Sequence, residues 1–593
     1  MRQNKFFISS KHQLLILILL AVGLNINTLF HEYALDDSVV LTENGLVQKG
    51  LKGIPKLLST DYVYGYSTKE NILSGARYRP LSLILFAIEY QVFGANPFIS
   101  HLINVLLFAL LIMLLYNLLK RYLFPEQHHL LAFIACLLFA AHPIHTEVIA
   151  NVKSRDEIIT FIFLILSLNS IIKFIRMGKA GQLTLSLIYF ILALLTKETA
   201  VTFLGIVPLI IYFFLNQTPQ KTFKYSIPFV ALFIAYFIIR LAVVGFEKYP
   251  VTDIANAPYL YATAPEAFAT KIFILFKYLW LLLIPHPLST DYGYNQIPYI
   301  EINSISFILS FLLMSGLLIY SFYTIRQKSI LSFCILYFFI TISVGTNLII
   351  DLGAPLAERM LFQSSLAICI VIAFLVLKAA KKARIVSFTF LSIILVLFSI
   401  KTAARNSNWK NNETIILADV ITSTECSRLN LYACEQYIIK ANAETNANLK
   451  NEYLNKAILY GEKSLKIHPK FAYIYQRLGF AYFNQQNYFK AADLWLQASK
   501  LEPDNMETKQ WLDNLCNIIY KEGNSLSEKN NIDDAIRYYL KATELNKNNI
   551  EAWYNLGGNY FIKNDSVNAI KAWDIVKQLD PNFPIKKEDF NHN

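Results

Sequence analysis

Long runs of apolar residues alternate with short polar segments over the first two thirds of the chain. A run of roughly 17 to 25 apolar residues is long enough to cross a bilayer as a helix. Such runs begin near His12, Phe98, His129, Ile158, Gln182, Val201, Ser226, Ile302, Ile330, Leu356 and Arg384. The pattern therefore predicts a polytopic domain of about eleven transmembrane helices in residues 1–404.

Two further apolar stretches are not counted as spans. Residues 80–93 are short and contain Glu89, a pattern typical of an interfacial helix, which we expect within a large first outer loop formed by residues 31–97. Residues 268–284 carry two lysines, and we place them outside the membrane. Whether they span stays open, because a span there would reverse the side of every later segment.

After about residue 404 the apolar runs end and a repeat of 34 residues begins, the period of the helix-turn-helix tetratricopeptide unit. One copy contains Tyr475, Leu478, Gly479, Tyr482, Ala491, Trp495, Ala498 and Pro503, and a later copy has Trp553, Leu556, Gly557, Tyr560, Ala569, Trp573, Val576 and Pro581 at the same offsets. Two looser copies, one after an insertion of about ten residues, complete the array. The fold class is all-α, with a linker at 405–437 and about four repeats at 438–593. Such repeats usually offer a groove to a polypeptide, and a stalk without a ligand is the alternative.

Composition and charge agree with a membrane protein. The chain is 55% hydrophobic and only 16% charged, which is too apolar for a soluble protein of 593 residues. The net charge of +12 comes largely from basic residues in alternate loops, which predicts cytoplasmic loops rather than nucleic-acid binding. An odd number of spans places the repeats outside the cytoplasm. The Asn- and Lys-rich composition suggests a bacterial inner membrane with site and repeats in the periplasm, or the endoplasmic reticulum membrane in a eukaryote.

The most unusual polar stretch follows the first span, where Asp36 and Asp37 form an acidic pair as the chain leaves the bilayer. Acidic residues are common in surface loops and need no function. The alternative is a general base beside a substrate carried by a lipid, which requires a carboxylate at the membrane surface.

Other ionisable residues collect in the predicted outer loops, whereas a transporter would place them near the middles of the spans. Any one of them could be an interfacial anchor, but a whole set on one side indicates a site at the outer surface. The candidates for substrate binding are Arg79, His142, His145, Glu147, Arg155, Asp156, Lys197, Glu198, Asp291, Glu358 and Arg359.

A metal site is a weaker interpretation. His142 and His145 lie three residues apart across a proline and lack the four-residue spacing of a helical zinc motif, so capping of a helix end competes with zinc binding there. An oxygen-rich divalent cation would suit Asp36, Asp37 and Asp156 better. No cofactor is firmly implied.

A membrane body with an acidic outer site, joined to peptide-binding repeats, suits an enzyme with a protein acceptor and a donor in the bilayer. Nucleotide sugars are normally absent outside the cytoplasmic membrane, so the hypothesis is glycosyl transfer from a polyprenyl-phosphate sugar. Two alternatives stay open: glycosyl transfer to a lipid or glycan, and a non-catalytic membrane scaffold or transporter that docks partners through its repeats.

Several motifs also resemble one family. They are Tyr33–Asp37, Tyr78–Leu81, Phe139–Ala150 continuing to Ser154-Arg155-Asp156, Leu194–Glu198, Leu283–Tyr292, Ala357–Leu361 and Arg405–Trp409. In this order, over nearly the whole chain, they are similar to the transmembrane and tetratricopeptide-repeat O-mannosyltransferases. Ser154 stands where the family form has glycine, and the repeat array is short beside animal members.

The resemblance implies a glycosyltransferase of the multispan C-type fold that moves mannose from a polyprenyl phosphate to Ser or Thr of proteins. Inverting displacement at the anomeric carbon needs one carboxylate to take the proton of the acceptor hydroxyl. We expect Asp37 to be that base, with Asp36 beside it. The leaving phosphate needs cations, for which Arg155, Lys197, Arg359 and Arg79 are candidates, and Asp156 and Glu198 are expected to position these cations or a metal.

Overall fold

The computed structural model describes residues 9–66, 77–125, 129–245, 254, 257–349 and 351–586. Throughout these ranges the regular structure is helical, as predicted, and no β-strand occurs. The chain divides into two compact units, Met1–Thr424 and Glu425–Asn593. Residues 405–424, the first part of the linker expected from the sequence, thus belong to the first unit.

The described residues of the first unit contain sixteen α-helices joined by loops and short 3-10 or π segments. They are α1 (Ser10–Asn25), α2 (Ile54–Leu57), α3 (Pro80–Phe93), α4 (Pro97–Leu118), α5 (His129–Ala141), α6 (Thr146–Ala150), α7 (Arg155–Met177), α8 (Ala180–Thr196), α9 (Phe203–Phe214), α10 (Pro219–Val244), α11 (Ala264–Leu283), α12 (Ile305–Tyr323), α13 (Ile330–Ile342), α14 (Leu361–Ala380), α15 (Arg384–Asn408) and α16 (Asn412–Thr422).

Seven helical segments of the described chain are long and apolar enough to cross a membrane. They are Ser10–Phe30, Pro97–Leu123, Arg155–Met177, Pro219–Val244, Ile305–Tyr323, Glu358–Ala380 and Arg384–Asn408. The bent pair Leu130–Ala141 and Pro143–Ala150, which turns by 53°, makes an eighth if it is counted as one span. The structure therefore supports seven to eight apolar spans.

The other three predicted spans fall on the shorter apolar helices Ala180–Thr196, Glu198–Phe214 and Ile330–Thr346. The helix Ala180–Thr196 ends at Lys197, whose backbone is extended (φ −158°, ψ 138°). Lys197 and Glu198 are charged and interrupt the apolar sequence between α8 and α9. The count of eleven spans therefore stays a prediction, and α11 is not among the seven segments.

The core of the first unit lies where α4, α5 and α14 meet. Phe108, Phe139 and Phe362 are fully buried, with ring centroids 6.5 Å apart in the first pair and 5.6 Å apart in the second. Close packing of this kind is the main attraction between helices where no water is displaced.

The first outer loop has a small core of its own. Val40, Leu57, Tyr62 and Phe86 are buried together with Val152, which comes from the loop before α7. The expected helix at residues 80–93 forms as α3 and supplies Phe86. This packing holds the chain after the first span against the loop at residues 151–154.

The second unit consists of four helix pairs. They are α17 (Ser427–Ala443) with α18 (Ala447–Ile467), α19 (Ala472–Asn484) with α20 (Tyr488–Leu501), α21 (Met506–Glu528) with α22 (Ile532–Leu545), and α23 (Ile550–Ile562) with α24 (Ser566–Leu579). The α21 helix has 23 residues, whereas α19 and α23 have 13 each, so the ten-residue insertion lengthens this helix.

The repeats pack through glycines that face tryptophans. A Cβ at Gly479 would lie 2.3 Å from Nε1 of Trp495, and a Cβ at Gly557 would lie 2.4 Å from Nε1 of Trp573. Each indole donates across its pair, Trp495 to the carbonyl of Gln476 at 3.0 Å. The small residue is needed because the two helices touch at this point, as the period predicted.

Candidate active site

The acidic pair lies in a tight turn. The backbone N–H of Asp37 donates to the carbonyl of Ala34 at 3.2 Å, and the N–H of Ala34 donates to Oδ2 of Asp37 at 2.9 Å. Leu35 occupies the left-handed region at φ 51°, which is uncommon for a residue with a side chain, and its N–H donates to Oδ1 of Asn412 at 2.6 Å. The turn points the two adjacent carboxylates into different surroundings.

The loop before α7 clamps this turn through three contacts. Nδ2 of Asn151 donates to the carbonyl of Ala34 at 3.1 Å, and the backbone N–H of Lys153 donates to Oδ1 of Asp37 at 2.7 Å. The Lys153 ammonium lies 3.2 Å from Oδ2 of Asp36. One lysine thus contacts both members of the acidic pair.

The two carboxylates differ in exposure. Asp37 is fully buried, whereas the side chain of Asp36 is 57% exposed. Burial raises the pKa of Asp37 to about 7, because the backbone N–H donors from Ala34 and Lys153 offset only part of the desolvation of its charge. The Lys153 ammonium lowers the pKa of Asp36, and burial lowers the pKa of Lys153 to about 8. Asp36 is therefore the ionised and accessible member of the pair.

Four of the predicted residues form one buried ion network. Arg79 donates bidentately to Glu198 at 2.6 and 2.5 Å and to Oδ2 of Asp156 at 2.9 Å. Lys197 lies 2.8 Å from Oδ1 of Asp156 and 3.0 Å from Oε1 of Glu157. Asp156 and Glu157 lie in the first turn of α7, where the positive end of the helix dipole favours their negative charge. Arg79 and Lys197 are thus paired with carboxylates.

Arg155 forms a second buried ion pair, with Glu89. Its guanidinium contacts Glu89 of α3, donates to Oδ1 of Asn104 at 2.5 Å, and donates to the carbonyl of Ser100 at 2.8 Å. The Ser100 hydroxyl also contacts Glu89. These bonds join α3, α4 and α7, and they use the donors that a phosphate would need.

Arg359 differs from the other cations. It contacts Glu147 through its side chain at 2.5 Å and through its backbone N–H at 3.0 Å, and its side chain is 24% exposed. It also acts electrostatically on Asp36, as does Arg77. Within the described chain, no carboxylate lies within ion-pair distance of Arg77, and the buried hydroxyl of Tyr62 has no hydrogen-bond partner. A cationic region therefore borders Asp36.

The two predicted histidines fill structural positions. Nε2 of His142 lies 3.0 Å from the carbonyl of Leu282, and its Nδ1 accepts the N–H of Ile144 at 3.2 Å, which caps a short helix. Nε2 of His145 lies 2.8 Å from the hydroxyl of Ser365. The capping interpretation thus describes His142.

Metal-ligating groups do not converge in the part of the chain that the structure describes. The oxygens of Asp156 face Arg79 and Lys197, and those of Asp37 face backbone N–H groups. These carboxylates offer no joint site with Asp36 for a divalent cation.

The last two predicted residues support the loop at residues 285–293. Glu358 is buried and accepts from the N–H of Ser289 at 2.5 Å and the hydroxyl of Tyr292 at 2.8 Å. Oδ1 of Asp291 accepts the N–H of Gly293 at 2.7 Å. Their described contacts are structural.

The structure thus groups Asp36, Asp37 and Arg359 with the Arg79 network, and the sequence analysis missed Lys153 and Tyr62. Lys153 stands just before the Ser154-Arg155-Asp156 motif. Its place next to this motif is a signal that could have identified it.

Comparison with known proteins bears on this grouping. The family model described as dolichyl-phosphate-mannose-protein mannosyltransferase matches residues 79–244, and two tetratricopeptide models match residues 472–505 and 523–564. Protein O-mannosyl-transferase TMTC3 of Homo sapiens is 25% identical over 602 residues, covering 89% of this chain and 64% of that protein. The chain is thus similar, over most of its length, to proteins described as protein O-mannosyl-transferases.

One more relative and one solved structure are also similar to parts of this chain. Protein O-mannosyl-transferase F38B6.6 of Caenorhabditis elegans is 27% identical over 74% of this chain and 59% of that protein. The crystal structure of YrrB, a TPR protein with an unusual peptide-binding site, is 18% identical over 28% of this chain and 93% of that chain, with a TM-score of 0.14. The chain spans less than two thirds of the length of the curated relatives it matches.

Proposed function

We propose that this protein is a membrane O-mannosyltransferase that transfers mannose from a polyprenyl-phosphate carrier, such as dolichyl phosphate, to Ser or Thr hydroxyls of proteins outside the cytoplasm. The observation that carries the proposal is the exposed Asp36, which is paired with Lys153 on a turn held by hydrogen bonds from Asn151 and Lys153. The similarity to protein O-mannosyl-transferases suggests the reaction class, and the positions of the side chains suggest the roles.

Asp36 is the better base of the acidic pair, although the sequence favoured Asp37. A general base must come within hydrogen-bond distance of the group whose proton it takes, so accessibility is the first criterion for a base and its pKa is the second. Asp37 is fully buried and each of its oxygens already accepts a backbone N–H, whereas Asp36 uses Oδ2 for Lys153 and is open to solvent. Asp37 fixes the turn that presents its neighbour.

In the proposed step, the acceptor oxygen forms a bond to the anomeric carbon of mannose while the bond from that carbon to the phosphate oxygen breaks. The hydroxyl proton passes to Asp36, and the electron pair of the broken bond stays on the phosphate. Arg359 and Arg77 meet the charge that develops there, since both act electrostatically at Asp36. Arg79, Arg155 and Lys197 keep the surrounding loops in place through their carboxylate partners.

The repeats are proposed to bind the acceptor protein or a partner that delivers it. The helix pairs bury apolar clusters between successive helices, as the stacked units of a solenoid do. Transfer to a lipid or glycan, or a scaffold without catalysis, would leave proteins unmodified.

The test is mass spectrometry of extracytoplasmic proteins from cells that carry the wild-type chain, no chain, Asp36→Asn or Glu43→Gln, at equal expression. Glu43 is an exposed acidic residue of the same loop and provides the matched control. We expect hexose on Ser and Thr with the wild type and Glu43→Gln, and its loss with Asp36→Asn. Hexose that is equal in all four samples would contradict the proposal.

A further inference from the structure

Lys153 is a buried lysine whose charge faces an exposed carboxylate. Its side chain is 5% exposed, its ammonium lies 3.2 Å from Oδ2 of Asp36, and the side chain of Asp36 is 57% exposed. Burying an ammonium costs free energy unless a partner compensates for the lost hydration. The lysine therefore pairs with the buried side of Asp36, while the rest of that carboxylate is exposed.

The charges around Lys153 favour Asp36 as the partner of its ammonium. Asp36 and Asp156 attract its ammonium, whereas Arg359 and Lys197 repel it. Asp156 already accepts from Arg79 and Lys197, so Asp36 is the carboxylate within ion-pair distance of Lys153 among the described residues. In the same part of the chain, Oδ1 of Asp36 accepts no hydrogen bond.

We propose that Lys153 is a positioning residue that keeps Asp36 ionised and holds its Oδ2, so that Oδ1 is presented to the acceptor hydroxyl. This inference rests on the proposed function, and in particular on Asp36 as the base. The lysine does not touch substrate. It acts through the carboxylate, because a positive charge at this distance favours the ionised form of its neighbour.

The backbone of Lys153 has a separate role that substitution leaves intact. Its N–H donates to Asp37 at 2.7 Å whatever side chain follows. Lys153→Met keeps a flexible side chain of similar length without the charge, and Lys153→Arg keeps the charge. The two variants therefore separate the positive charge from the filling of buried space.

The experiment measures mannose transfer by the full-length chain in membrane vesicles between pH 4.5 and 7.5, a range in which Lys153, with a pKa of about 8, stays mostly charged. The donor is radiolabelled dolichyl-phosphate mannose, and the acceptor is an extract of extracytoplasmic proteins from cells without the chain. We expect the wild-type rate to change little over this range. For Lys153→Met, the fall in rate on the acid side should begin at a higher pH than for the wild type, because Asp36 is then protonated more easily. Lys153→Arg should restore the wild-type shape.

The outcomes separate the two proposals. A Lys153→Met protein that is folded and shows the wild-type pH profile, merely scaled down, would overturn the positioning role and leave the proposed function standing. A Lys153→Arg protein with the profile of Lys153→Met would overturn it as well. A folded wild-type chain without transfer at any pH would overturn both proposals. The donor KM should be unchanged in both variants, since Lys153 is not proposed to bind phosphate.

Discussion

Replacing Arg155 distinguishes a structural cation from a phosphate ligand. The guanidinium meets Glu89, Asn104 and the carbonyl of Ser100, and the side chains of the Arg155–Glu89 pair are 3% and 4% exposed. Arg155→Met removes the charge that compensates Glu89 and leaves that carboxylate buried. We therefore expect a loss of folding stability and no selective loss of chemistry.

The magnitude follows from the burial of the pair. Removing one partner of a buried ion pair typically costs about 3–5 kcal/mol, because the remaining charge is uncompensated. Native proteins are stable by only about 5–15 kcal/mol, so this loss is a large fraction of the total. Replacing both partners, as in Glu89→Leu with Arg155→Met, removes the unpaired charge and should recover part of the loss.

The assay combines detergent extraction, size-exclusion chromatography and thermal unfolding with the transfer rate per folded molecule. We expect Arg155→Met to give a smaller monodisperse fraction and a lower melting temperature, with the folded remainder retaining its rate within about threefold, and the double variant to be the more stable of the two. An Arg155→Met protein that melts like the wild type but has lost nearly all transfer would refute the structural role and restore Arg155 as a phosphate ligand.

Three further results are expected. The wild-type transfer rate should be nearly constant from pH 8 to pH 6, since Lys153 lowers the pKa of Asp36; a fall of roughly tenfold would instead indicate Asp37, whose pKa is about 7, as the base. Arg359→Lys should lower kcat about tenfold or more in steady-state transfer assays without loss of fold, because an ammonium lacks the planar fork that binds phosphate bidentately. Gly479→Ala should destabilise the repeats by about 1–3 kcal/mol in thermal unfolding monitored by circular dichroism, since its Cβ would lie 2.3 Å from the indole of Trp495.

The helical architecture could be predicted from the sequence because it depends on local patterns. The apolar runs predicted the positions of helices in the first unit, and the 34-residue period predicted the helix pairs of the second. The number of spans could not be fixed in the same way. At Lys197 the chain is interrupted by a charge whose partner is Asp156, 41 residues earlier, and only folding shows that this charge is paired inside the protein.

The candidate site was predictable as a region, but the roles within it were not. Sequence motifs identified Arg79, Arg155, Lys197 and Arg359 as equivalent cations, yet three of them are held in buried carboxylate pairs. Distances of this kind join residues far apart in the chain. The order of Asp36 and Asp37 is also invisible in sequence, because it depends on the left-handed Leu35 that turns one carboxylate inward.

In the proposed mechanism the buried ion pairs of Arg79, Arg155 and Lys197 hold the structure in place, and the Lys153–Asp36 pair provides the base. Transition-state stabilisation is most effective when charged groups are already in place and need not reorganise during the reaction. The Arg79 and Arg155 networks join α3, α4 and α7 to the loops that carry Lys153 and Lys197. They therefore hold the positions of these helices and loops around Asp36. Asp36 depends on these contacts because its own side chain is exposed. An exposed carboxylate on a mobile loop would spend little time in a reactive position. In the proposed mechanism, the hydrogen bonds that hold this turn therefore matter more than the number of acidic residues.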